Sequence, residues 1–123
     1  MLEARNFVSQ RTETKRFMLK GFLPGKLMDA SGLVQISARP MDVSKRGLGL
    51  VISQSLPIGS VVWFCFDDKR IKLEVAYCNS HLGIENVFKC GFYSKDPDCS
   101  LEDIFLRKGM INPNDFVLDS NGI

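Results

Sequence analysis

The chain has 123 residues, 45% of them hydrophobic and 24% charged, with a formal net charge of +2. That size and composition fit one soluble globular domain with a real core. No apolar run approaches the ~20 residues that cross a bilayer, and Met1 to Asn6 carry charge without an apolar signal core, so a cytoplasmic protein is expected.

The small net charge conceals an asymmetry. Residues 1–26 hold six basic side chains (Arg5, Arg11, Lys15, Arg16, Lys20 and Lys26) against Glu3 and Glu13. The remainder is slightly acidic, so an anionic partner is expected at the N-terminal arm. Cys65, Cys78, Cys90 and Cys99 form no Cys-x-x-Cys pair, and His81 is the only histidine. Reduced thiols are therefore expected, with no metal site and no cofactor.

In chain order, residues 1–16 are polar and lack a clean period. Phe17 to Leu23 reads as the start of a first strand, interrupted at Pro24-Gly25, and Lys26-Leu27-Met28 is a short apolar piece before a turn at Ala30-Ser31-Gly32. From Leu33 to Val43, apolar Val34, Ile36 and Ala38 alternate with polar Gln35, Ser37 and Arg39, which predicts a half-buried strand. Pro40 marks an edge or a bulge near its end. Asp42-Val43-Ser44-Lys45-Arg46-Gly47 follows as a turn, because Asp and Ser side chains bond nearby backbone and Gly47 allows a positive φ or a close approach by ligand.

Beyond the turn, Leu48 to Ser53 is a short buried strand and Leu56 to Ser60 a connection. Val61 to Phe66 and the alternating Ile71, Leu73, Val75, Tyr77 predict a hairpin around Asp67-Asp68-Lys69. Val87 to Tyr93 is a last strand. Ser100 starts a helix as its N-cap, and Arg107-Lys108-Gly109 ends it. The expectation is an all-β fold, a six- or seven-stranded antiparallel barrel with a C-terminal helix. A single domain spans 1–123, divided into a basic arm at 1–16, a barrel at 17–93, a helix at 100–109 and a loose tail at 110–123.

Asp42-x-Ser44-x-x-Gly47, the basic segment upstream and the order of strands downstream together resemble the PilZ domains, which bind the bacterial second messenger cyclic diguanylate. The likeness covers roughly residues 11 to 106, including Leu56-Pro57-x-Gly59 and Gly91-Phe92. One departure lies in the arm, Arg11-Thr12-Glu13-Thr14-Lys15-Arg16. The family places two arginines with three residues between them, often with another arginine just before them. Aligned by context, Arg16 takes the second position, Arg11 the preceding one, and Thr12 replaces the inner arginine.

The resemblance implies a nucleotide receptor that changes conformation or partner binding on ligand capture. It implies Arg11, Lys15, Arg16, Asp42, Ser44 and Gly47 as the ligand-binding residues. Guanine O6 and N7 suit a guanidinium fork, phosphate accepts a second fork, and lysine lacks that planar geometry. No nucleophile or carboxylate partner for His81 and no phosphate-cradling glycine loop is evident, so an enzyme is not expected. Two alternatives stay open. One is a PilZ-like domain that has lost its ligand and works as a protein-protein interaction module. The other is a small barrel binding single-stranded nucleic acid through its phenylalanines and basic arm. A downstream protein effector is implied without being named, and a homodimer is left open.

Overall fold

The computed structural model describes residues 14–32 and 35–119. Arg11 and Thr12 of the expected arm, and Leu33 and Val34 at the start of the predicted strand, lie outside the described residues. Among the described residues, eight strands and one helix follow in order: β1 (Thr14–Met18), β2 (Gly25–Met28), β3 (Gln35–Val43), β4 (Gly47–Ile52), β5 (Val61–Phe66), β6 (Lys69–Ser80), β7 (Phe88–Tyr93), α1 (Leu101–Arg107) and β8 (Phe116–Asp119).

All pairings are antiparallel. β2, β5, β6, β7, β4 and β3 run side by side, and β3 pairs back to β2, which closes a six-stranded barrel. Closure pairs both sides of each of these six strands, and the sheet continues beyond them through β1 to β8. The inward set follows the predicted alternation on β3 and β6, where Ile36, Ala38, Ile71, Leu73 and Val75 are buried; on β5, an unbroken apolar run, Val62, Phe64 and Phe66 are the buried ones. Phe105 of α1 stacks on Phe66, so the helix plugs the core at one side of the barrel. Ser100 caps α1 by accepting the Asp103 N–H, as its position before Leu101 predicts.

Three expectations need correcting. The first strand begins at Thr14, before Phe17, so Lys15 and Arg16 belong to β1 and not to a separate arm. The tail contains β8, which pairs with β1 from Thr14↔Asp119 to Phe17↔Phe116. Its Phe116-Val117-Leu118 run is too short and too exposed to signal a strand by periodicity. The cysteines differ as well: the β6–β7 register sets Cys78 opposite Cys90, and a disulfide joins them, while Cys65 and Cys99 are free thiols. Pairing across a ladder depends on register and is invisible to Cys spacing in the sequence. Among the described residues, no helix is long and apolar enough to cross a membrane.

Two bulges reshape the outer surface. β3 and β4 pair Pro40↔Leu50 and then Asp42↔Gly49, so Met41 is the extra residue. β6 and β7 pair Val75↔Phe92 and then Tyr77↔Gly91, with Ala76 extra. Each bulge reverses the in–out alternation beyond it. Val43 thereby becomes fully buried and Asp42 turns outward. Tyr77, expected on the core face by simple alternation, instead lies outside over Gly91, where a Cβ would fall 2.1 Å from its ring.

Candidate functional site on the outer face of the barrel

β1 sets the first component. Phe17 is 3% exposed and packs inward, so its neighbours Arg16 and Met18 face out. Met18 pairs with Asp42, which brings Arg16 beside the end of β3. Arg16 Nη1 donates to Asp42 Oδ1 at 2.6 Å, and Arg16 Nη2 reaches Ser44 Oγ at 3.5 Å. The other Asp42 oxygen accepts from Lys89 Nζ of β7 at 2.9 Å.

Arg16, Asp42 and Lys89 therefore form one cluster of two cations on one carboxylate, largely sheltered from water. Side-chain exposure is 15% for Arg16, 10% for Asp42 and 24% for Lys89. At that depth a charge needs its partner. Backbone supplies the space. Gly49 stands between Asp42 on β3 and Gly91 on β7, all three on the outer face. A Cβ on Gly49 would sit 2.4 Å from Asp42 Oδ1 and 2.8 Å from Lys89 Cε, so only glycine lets the two side chains meet over it. Among the described residues, two cations and one carboxylate thus meet over a glycine floor.

The turn after β3 is built from its own side chain. Ser44 Oγ accepts the Gly47 N–H at 3.0 Å, and the Ser44 N–H donates to the Gly47 carbonyl at 2.9 Å. Behind the turn, the Leu101 N–H at the start of α1 donates to the Lys45 carbonyl, and the Ser94 N–H donates to the Arg46 carbonyl. Ser44 is 1% exposed, so its hydroxyl organises the turn and braces Arg16. Gly47 is the first residue of β4, and the positive-φ glycines lie elsewhere, for example Gly59 at φ 88 in the Pro57–Ser60 turn. Its place in the cluster comes from the two bonds to Ser44.

Of the six residues expected at the site, the structure brings together Arg16, Asp42, Ser44 and Gly47. Lys15 does not join them. It shares the face of Phe17, one residue away from Arg16 and so on the opposite side of β1, and its Nζ lies 4.6 Å from the centre of the Phe116 ring. Arg11 lies outside the described residues. Lys89 and Gly49 were missed. A signal existed for Lys89: with Cys90 and Phe92 buried, alternation places Lys89 and Gly91 outside on β7. No cluster of three or more His, Cys, Asp or Glu side chains suited to a metal occurs among the described residues. Set against models of known protein families, curated proteins and solved structures, the chain matches none.

Proposed function

We propose that this chain is a binding module for cyclic diguanylate, a receptor whose shape or partner binding changes when the nucleotide is captured. The observation that carries this reading is the meeting of Arg16 and Asp42 at 2.6 Å on the outer face of a closed six-stranded barrel, with Ser44 beneath. These residues come from segments 26 positions apart and are the ones the PilZ resemblance selects. Their chemistry suits the ligand. A carboxylate accepts from guanine N1–H and its amino group, and a guanidinium fork donates to guanine O6 and N7 or to phosphate. Lys89 adds a point charge suited to a phosphate oxygen. Binding would exchange the internal Arg16–Asp42 contact for contacts to the ligand, which links capture to movement of β1.

Isothermal titration of the chain with cyclic diguanylate tests this directly. Saturable binding by wild type, lost in Arg16→Ala, is the expected result. A wild-type protein that takes up no heat from the nucleotide would remove the reading.

A second reading is a protein-protein interaction module with no nucleotide. It is favoured by the closure of the cluster on itself, since both Asp42 oxygens are already held by cations. Single-stranded nucleic acid binding gains less support: Phe17, Phe64, Phe66, Phe92 and Phe105, five of the nine phenylalanines, are buried in the core and offer no stacking surface.

A further inference from the structure

A second concave feature lies away from the Arg16 cluster. It is a groove of about 760 Å3 bordered by the Phe22–Lys26 segment, the first half of β3, the ends of β4 and β5, and Asn86-Val87. Small-molecule sites span about 300–1,000 Å3. We infer that this groove binds a small planar aromatic anion, independently of any nucleotide at Asp42.

Charge selects an anion. Lys26 of β2 pairs with Ser37 of β3, and Arg39 lies two residues beyond Ser37 on the same face, so the two cations are diagonal neighbours. Lys26 Nζ donates only to the amide oxygen of Gln35, at 3.4 Å, and neither cation meets a carboxylate among the described residues. The one acidic side chain on the rim, Asp67, is already paired with Lys108 of the helix end. Two exposed cations thus face the groove without compensation.

The lining selects an aromatic body over an alkyl chain. Phe22 is 75% exposed at the rim, an unusual position for a large ring. Met28, Val51 and Val87, half-buried in the lining, supply apolar surface. Between them stand the amides of Gln35 and Asn86 and the hydroxyls of Ser37 and Ser53. An alkyl chain would cover those polar groups without bonding them, which carries a desolvation cost. A flat ring bearing an anionic group stacks on Phe22 while its edge and charge meet the amides and the Lys26–Arg39 pair.

The test is an NMR titration of the full chain with 2-naphthoate and, separately, with 2-naphthylmethylammonium, which keeps the ring and reverses the charge. We expect saturable shifts at Ser37, Ser53, Cys65 and Asn86 with naphthoate and none with the cation. Arg39→Gln and Phe22→Ala are both exposed changes that leave the core intact. Arg39→Gln weakens naphthoate binding by about tenfold or more, the size of a lost charge-assisted contact. Phe22→Ala weakens it by at least about twofold, the lower end of an aromatic pair. Equal binding of both probes, shifts confined to Ser44, Gly49 and Gly91, unchanged affinity in Arg39→Gln, or no shifts with naphthoate would each overturn the inference.

Discussion

Asp42 lies directly across from Gly49, one residue past the Met41 bulge, and its carboxylate occupies the space that a Cβ at position 49 would fill. The arrangement of charge at this surface depends on that vacancy, because the same spot seats the end of Lys89. Gly49→Ala therefore forces Asp42 and Lys89 apart. The expected loss is about 1–3 kcal/mol of stability, the cost of an overpacked contact. Denaturant unfolding of the variant checks it, and an unchanged midpoint would show that the two side chains can move aside freely.

Arg16 and Lys15 should separate cleanly. Arg16→Ala leaves Asp42 with Lys89 alone and removes a charge-assisted bond, for a loss of about 1.5–3 kcal/mol. Lys15→Ala gives up only a contact with the Phe116 ring, worth less than about 1 kcal/mol at an exposed site. Nucleotide affinity should follow the same order. Matching losses in the two variants, in melts and in titrations alike, would place the binding face on the wrong side of β1.

Asp42 and Ser44 should differ in kind. Ser44→Ala orphans the buried Gly47 N–H and should cost about 1–3 kcal/mol while any nucleotide affinity of the folded protein is kept. Asp42→Ala leaves two sheltered cations facing each other, so it should destabilise by about 3–5 kcal/mol and also abolish nucleotide binding. Asp42→Asn, which keeps the shape and one acceptor, separates the two effects: lost stability with full affinity in the folded protein would make the carboxylate purely structural.

Much of the fold was legible because most strands alternate simply. Ile36 and Ala38 or Ile71, Leu73 and Val75 announce their faces residue by residue, the apolar run Val61 to Phe66 announces a strand without its face, and Ser100 announces the helix. The site was legible only in part. Asp42 counts as inward from Ile36 and Ala38, and a bulge near Pro40 was the condition for placing it outside; Met41 is that bulge. The matching bulge at Ala76 left no mark in the sequence, since Val75 and Tyr77 both read as core residues. Lys89 escaped because its role depends on which strand adjoins β4, a matter of topology. β8 escaped because four residues carry too little pattern.

Truncation before Phe116 tests the contribution of that last strand. Phe116 packs 5.9 Å from Phe17, centre to centre, and β8 provides the longer of the two ladders that hold β1. Removing it should leave the closed barrel intact and raise amide exchange at Thr14 to Phe17, while β5 and β6 stay protected. Uniformly faster exchange throughout would show instead that β8 supports the whole domain.

The pairing of β1 with β8 also bears on how the chain reaches its native state. Thr14 meets Asp119 across about a hundred intervening residues, whereas β3–β4 and β5–β6 are hairpins between sequence neighbours. Loop-closure entropy favours the local hairpins first and leaves the most distant rung for late in folding. Arg16 sits on β1, which also pairs with β3 at Phe17↔Val43, so its contact with Asp42 spans only 26 positions and does not wait for β8. Asp42 and Lys89 are 47 positions apart, so loop closure favours the Arg16–Asp42 contact first, with Lys89 completing the cluster when β7 docks beside β4.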